Sequence, residues 1–293
     1  MPNEELDIPP GSHPSPYRDQ RNGGDEVGDG KELCDLLVVC GDHIIIFSEK
    51  TIEWPGGDKK TAWSRWAKRA VLGAAKQLKG AQRWISEKPD RIFLDRQCIK
   101  PFPIDFPKPE ITRLHRVIIA RGASEQCRRH FDGHSGSLAI NPELRGPQNF
   151  PKDASLAMPF TLGDIDPTGS YIHVLDDVTM GIILDHLDTV RDFTDYLDAK
   201  ERFLRSAEAQ AVIGEENLLA YYSAKINPEG DHDFAPEIGR TIEISPRQYI
   251  EYISHPQYLA KKKADEISYL WDDLITLFTK HMLGGTAVTI GDY

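Results

Sequence analysis

Apolar residues fall in two short runs early in the chain, Leu36-Leu37-Val38-Val39 and Ile44-Ile45-Ile46-Phe47, separated by Gly41-Asp42. Two apolar runs either side of a Gly-Asp turn predict a β-hairpin. From about residue 61 to residue 87 the period changes. At 100° per residue, Trp63, Trp66, Ala70, Val71, Ala74, Leu78, Ala81 and Ile85 fall on one face. Arg65, Lys68, Arg69, Lys76, Lys79 and Arg83 fall within an opposing stripe of roughly 100°. This spacing predicts one long helix, buried on one side and basic on the other. Residues 91–95 and 114–120 then read as strands, with a Pro-rich stretch over 101–109 between them. The predicted order is strand, strand, helix, strand, strand.

Further on, residues 171–175 read as a strand, and 179–187, 191–204, 246–255 and 258–282 as helices. Residues 218–226 fit no single period and stay open. In 258–282, Ile267, Leu270, Trp271, Leu274, Leu277, Phe278 and Met282 form one stripe, the mark of a core-packing helix. Residues 286–290 read as a last strand, and a stop soon after it is what a C-terminal truncation would give. Residues 1–29, rich in Pro, Gly, Asp and Asn, read as a flexible lead-in. Five Pro and three Gly within 141–170 mark a boundary. The expected division is a lead-in over 1–29, a core over 30–145, and an α+β, mostly helical accessory region over 146–293.

Composition sharpens this picture. With 293 residues, 40% of them hydrophobic, the chain can bury a proper core. The net charge is −11, although residues 59–84 carry eight Lys and Arg and no acid, which leaves −19 on the rest. A general nucleic-acid coat would not be built so; a local basic site on an acidic body would. The four cysteines, Cys34, Cys40, Cys98 and Cys127, form no CxxC pair and no common zinc spacing, as expected of reduced thiols. No basic-then-apolar leader opens the chain, and no apolar run reaches the roughly 18–20 residues of a membrane span. The expected location is the cytoplasm.

The candidate chemistry lies on the hairpin. Asp35 opens the first strand, Ser48-Glu49-Lys50 close the second, and Gln77 lies on the following helix at the edge of its buried face. Over roughly residues 30–121 this arrangement resembles the PD-(D/E)XK nuclease superfamily, with its RecB-like and NERD-like branches. The resemblance implies an α/β fold of restriction-endonuclease type, a mixed sheet with flanking helices. It also implies Mg²⁺ (or Mn²⁺) held by Asp35 and further acids, Glu32 and Glu49 among them. Lys50 would be the catalytic lysine and Gln77 would orient water or a ligand. DNA is the implied substrate and restriction or phage defence the implied setting. The partners would be DNA and either a second copy of the chain or another subunit, with no membrane. Phosphodiester hydrolysis gives such residues a purpose: a hard cation takes oxygen ligands and activates water, and a neighbouring lysine stabilises developing charge. Arg65, Lys68, Arg69, Lys76, Lys79 and Arg83 would hold backbone phosphates.

One position departs from the superfamily pattern. Ser48 stands where an acid is usual, and side chains alternate across a strand, so Ser48 and Lys50 share a face while Glu49 points away. A bulge near Ser48 could turn Glu49 inward. Alternatively Glu53 or Glu32 could supply the acid, since the next helix has none before Glu87. The third alternative is a nuclease fold without activity, serving as a subunit that binds nucleic acid or a protein. His115, His130 and His134 with Asp132 suggest a metal cluster only loosely, and His232 stands alone between two aspartates. Residues 133–137 lack the G-x-S-x-G spacing of a nucleophile elbow.

Overall fold

The computed structural model describes residues 12–19, 30–132, 135–187, 189–234 and 241–265. In chain order the strands and helices of the first part are β1 (Ser12–Pro14), β2 (Tyr17–Asp19), β3 (Gly30–Glu32), β4 (Leu36–Cys40), β5 (His43–Thr51), α1 (Lys59–Ala67), α2 (Gly73–Glu87), β6 (Ile92–Phe93) and β7 (Arg113–Arg121). They continue with α3 (Ser124–His130), β8 (Ala139–Arg145), β9 (Thr161–Asp164), β10 (Ile172–Asp176), α4 (Thr179–His186), α5 (Val190–Leu204), β11 (Val212–Ile213), α6 (Glu215–Ala224) and α7 (Gln248–Ser254). The class is α/β with mixed sheets.

The main sheet has the order β1-β4-β5-β7-β10. β4 and β5 form the hairpin, Leu36 opposite Phe47 and Cys40 opposite His43. Gly41 takes the turn at φ 60°, where a side chain would be strained. β5 pairs in parallel with β7, and β7 in parallel with β10. A parallel pair needs a long crossover, and the helical segment between β5 and β7 supplies it. Asp58 caps its start, one carboxylate oxygen accepting from the Thr61 N–H at 3.0 Å and from the Thr61 hydroxyl at 3.1 Å. Helical backbone then runs unbroken from Lys59 to Glu87, with a π-helical turn over Lys68–Leu72 between α1 and α2.

Strand alternation sorts the core onto the two faces of the sheet. Leu37, Val39, Ile44, Ile46, Ile118, Ala120 and Ile172 pack with Trp63, Trp66, Ala70, Val71, Ala74 and Leu78 of the crossover. Val38, Ile45, Phe47, Val117, Ile119 and Leu175 pack on the other side with Ile183, Phe193, Tyr196, Leu197, Leu218 and Leu219. Helices on both faces make the central strands continuous apolar runs, as in the fully buried Val117-Ile118 of β7. Trp66, also fully buried, donates its indole N–H to the Ile52 carbonyl at 3.0 Å, tying the crossover to the end of β5.

Gly122, directly after β7, has φ +103°, and a Cβ there would come within 2.2 Å of the Ile52 carbonyl oxygen. Both the dihedral and the backbone contact exclude a side chain. Gly122→Ala should therefore lose about 2–3 kcal/mol of stability, read as a lower urea midpoint at unchanged slope.

The structure differs from the sequence expectations in places. Residues 12–19, within the expected lead-in, carry two strands: β1 extends the main sheet beside β4, and β2 joins β3 and β6 in a three-stranded antiparallel sheet. Arg18 lies 5.4 Å over the Trp84 ring and Arg91 pairs with Asp19 at 3.4 Å, so distant residues order this segment. Of 91–95 only Ile92–Phe93 is strand. β10 forms the edge of the main sheet opposite β1, so that sheet draws on residues from both sides of position 145. A third sheet, β11-β8-β9, and helices α4 to α6 fill the remainder of the unit that ends at Pro246. Of residues 218–226, those up to Ala224 belong to α6, and Ile226 bridges to His232. A second unit begins at Arg247. In it, α7 is followed by helical backbone over 256–265, where Lys261 pairs with Asp265 at 2.7 Å. The apolar stripe from Ile267 to Met282, the run 286–290 and His134 lie outside the described residues.

Candidate functional site

Asp35 and Lys50 stand at the open end of the hairpin. The Asp35 N–H donates to the Phe47 carbonyl at 3.0 Å, which fixes where the chain enters β4. From there alternation turns Asp35 to the same face as Leu37 and Val39, the face covered by the crossover helix. Lys50 shares that face with Ile44 and Ile46. Lys50 Nζ lies 3.5 Å from Asp35 Oδ2, with both side chains about one-third exposed at 32% and 29%. The same Asp35 oxygen accepts from the Glu49 backbone N–H at 2.7 Å. The carboxylate is thus held by two donors and remains open to solvent.

Ser48 lies between them on this face and is fully buried. Its hydroxyl donates to Gln77 Oε1 at 3.1 Å, which joins the strand to α2. Asp35, Ser48, Lys50 and Gln77 are therefore brought to one side of the sheet by the hairpin and the helix that follows.

Glu49 is not among them. β5 and β7 pair residue for residue from His43–Arg113 to Thr51–Arg121 without a bulge, so nothing turns Glu49 inward. Its carboxylate instead accepts from Arg121 Nε at 2.6 Å. Glu32 is exposed on β3, and Glu53 is exposed in the segment after β5. Neither forms a three-membered ligand group with Asp35 among the described residues. Between Glu32 and Asp35 lies Cys34, whose thiol is pushed up by burial and further by both carboxylates; it stays protonated and unreactive.

On the outer face of the crossover, Arg65, Arg69, Lys76, Lys79 and Arg83 are exposed. Lys68 is half-buried and donates to the Pro151 carbonyl at 3.0 Å, and Lys79 lies 3.7 Å from Asp166. Among the described residues Arg65, Arg69, Lys76 and Arg83 have no acidic partner, which leaves four cations facing solvent. Lys76, Lys79 and Arg83 line an open basin of about 610 Å³ with Arg116 at its floor. Arg116 is buried, donating to Asp166 at 3.0 Å and to the Ser170 carbonyl.

A second cluster lies on the other face of the sheet, at the start of β5 rather than its end. His43 Nδ1 is 2.9 Å from His115 Nε2, with the ring centroids 5.2 Å apart and the ring planes 9° from parallel, so the rings meet nearly head-on. His115 Nδ1 is 3.8 Å from Asp198 Oδ1 on α5. Asp42 Oδ1 is 3.4 Å from His43 Nε2, and Arg113 reaches both Asp42 at 3.7 Å and Asp198 at 3.5 Å. Burial drives the His115 imidazole down to about 4; Asp198 pulls the other way, while His43 and Arg113 add to the drop. The sequence pointed to His115 but gave it other companions. His130 sits instead beside Lys59, at 3.3 Å, and burial together with that ammonium lowers its pKa. His43 and Asp198 lie 72 and 83 residues from His115 in the chain, so no local spacing could announce them.

Among the described residues no helix is long and apolar enough to cross a membrane. No family model, no curated protein and no solved structure matches the chain.

Proposed function

We propose that this protein is a metal-dependent nuclease of PD-(D/E)XK type that cleaves DNA phosphodiester bonds, with Asp35 and Lys50 at its centre. The observation that supports this reading is the 3.5 Å approach of the two side chains on the face covered by the basic helix. The donor set suits Mg²⁺ or Mn²⁺. Asp35 offers one solvent-facing carboxylate, and such ions are commonly held by one or two carboxylates completed by waters and substrate phosphate oxygens. When bound, the ion would polarise the phosphate and lower the pKa of a bound water. Lys50 neutralises charge growing on the phosphate or holds the attacking water. Gln77 keeps Ser48 and the end of β5 in place against the helix. Arg65, Arg69, Lys76 and Arg83 hold phosphates along the strand, a contact that positions DNA without reading its sequence. Restriction or phage defence in the cytoplasm is the setting this reading implies.

A second reading rests on Glu49. Its carboxylate is committed to Arg121, at 2.6 Å, and leaves Asp35 as the acid paired with Lys50 among the described residues. A nuclease-like subunit that binds nucleic acid or a protein without cutting would look the same.

Incubating the full chain with plasmid DNA and Mg²⁺ or Mn²⁺ separates the two. Wild type should nick or linearise the plasmid, and Asp35→Ala and Lys50→Ala should each be slower by at least about 100-fold. Undiminished cleavage in both variants would remove Asp35 and Lys50 from the chemistry. Binding without cleavage by wild type would establish the second reading. In either case the affinity should fall with salt, and Arg69→Ala should make the slope of log K against log salt shallower by about one.

A further inference from the structure

The geometry points to a Zn²⁺-binding site formed by His43, His115 and Asp198, on the opposite face of the main sheet from Asp35 and Lys50. One ligand atom from each of the three residues lies within 4.8 Å of the other two, and this is the one such trio among the described residues. It is assembled from three separate elements, the starts of β5 and β7 and the middle of α5. Strand register explains the imidazole pair. His115 stands opposite Ile45, so His43 is its diagonal neighbour on the same face.

The ligand chemistry selects the ion. Two imidazole nitrogens and one carboxylate form a familiar zinc donor set, and imidazole favours zinc and its transition-metal neighbours over Mg²⁺. Two nitrogens bound tetrahedrally to one zinc lie about 3.3 Å apart, given bonds of about 2.0–2.1 Å. The observed 2.9 Å is a hydrogen-bond length between rings that meet nearly head-on, so both rings must turn for their lone pairs to converge on a shared ion. Asp198 approaches from α5 with its side chain 28% exposed, its Oδ1 3.8 Å from His115 Nδ1.

The outer groups are those a metal-binding histidine requires. His43 presents Nδ1 to the site and its Nε2 to Asp42, so an outer carboxylate orients the ring. Arg113 bridges Asp42 and Asp198 and fixes their separation. There is also a way in. Beside Asp198 opens a cavity of about 390 Å³ whose wall includes Asp192, Asp195, Asp231 and Asp233. Arg113, Arg191 and Arg202 share this lining with five aspartates, Asp198 included, so acids outnumber bases and the cleft favours a cation. With three protein ligands, the fourth position of the zinc would face this cavity and hold water. The ion would pin α5 to the starts of β5 and β7.

The nuclease proposal is not needed for this site. Seven residue steps along β5 take His43 to Lys50, about 23 Å at 3.3 Å per step, and the two face opposite ways.

Co²⁺, which takes the place of zinc and is coloured in tetrahedral sites, is the probe. The full-length chain, stripped with chelator, should bind one equivalent with a visible ligand-field band. Zn²⁺ should displace it and raise the melting temperature of wild type. His43→Ala and Asp198→Asn, both at partly exposed positions, should each weaken Co²⁺ binding at least about tenfold and lose the zinc-dependent rise in melting temperature. Circular dichroism without metal verifies that each variant is folded; if His43→Ala is not, Asp198→Asn decides alone. The site is refuted if wild type shows neither the band nor the rise, or if folded variants bind as wild type does. Plasmid cleavage plays no part in the readout.

Discussion

Lys200→Met should lower stability by about 3–5 kcal/mol, an effect large enough to leave the protein marginal. Lys200 on α5 places Nζ 2.6 and 2.5 Å from the two oxygens of Glu215 at the start of α6, and the side chains are only 2% and 3% exposed. Tyr196 donates its hydroxyl to the same carboxylate at 2.6 Å. Burial, then the Glu215 charge, raises the Tyr196 pKa far above its ordinary value, so the hydroxyl keeps its proton and remains a donor. Removal of the ammonium strands a carboxylate in apolar surroundings with one neutral donor. The cost is that of a buried unpaired charge, not of a lost contact. Lys200→Met/Glu215→Leu should therefore be more stable than Lys200→Met alone. Adding Tyr196→Phe should recover a further 1 kcal/mol or so, because the orphaned hydroxyl is removed as well. Urea midpoints of the single, double and triple variants test this. A double variant less stable than the single would show that the pair is worth more than its burial costs.

Stability of the metal-free chain should rise with pH between about 4 and 6.5, by on the order of 3 kcal/mol in total. Two imidazoles set the direction. His115 is driven down to about 4 chiefly by burial. His173 is held well below its ordinary value by burial, with the Lys200 charge next in weight. In this window the unfolded chain carries protons on both rings that the folded chain refuses. Acid therefore favours unfolding, and the stability is fully present only above about 6.5. Asp176 acts against them. Burial raises it to about 6 despite bonds from the Leu138, Thr179 and Val178 amides, so the folded state holds a proton that the unfolded state has released, and its contribution falls as pH rises. Glu201, raised chiefly by burial, acts with Asp176, but the two imidazoles are shifted further and leave the net slope positive. Asp176→Asn should steepen the profile and His115→Asn should flatten it. Chemical denaturation at half-unit intervals from pH 4 to 7 gives the slopes, and a flat or falling wild-type profile would contradict the assignment.

The elements that local pattern determines were legible from the sequence. Trp63 to Ile85 mark the buried face of the crossover because each sits on a helical period, and every one of them is buried. The hairpin was legible because the two apolar runs flank a turn residue that takes a positive φ, and its register carried Asp35 and Lys50 to a common face. The π-helical turn at Lys68–Leu72 left no such trace. A wheel drawn at 100° puts Lys68 on the open stripe, whereas the lysine reaches down to the Pro151 carbonyl. α6 was ambiguous for a different reason. Leu218, Leu219 and Ala220 are consecutive and all fully buried, so the helix has no polar side to give it a period. β1 and β2 were hidden in a segment whose composition suggests a loop, because their order comes from partners elsewhere in the chain. The histidine cluster was least visible. His43 and Asp198 meet only because β5, β7 and α5 converge, and each residue by itself looks like an ordinary surface polar group.

β5 has a strand bonded along each flank, antiparallel on one side and parallel on the other. Sliding it by a single step would break two ladders at once and exchange the outlook of every side chain it carries. The division of labour at its last residues is consequently a property of the whole sheet and not of a flexible tip. Glu49 is assigned to the far side for as long as the fold persists, and the neighbouring slot of β5 on Asp35's side is sealed by a serine hydroxyl against Gln77.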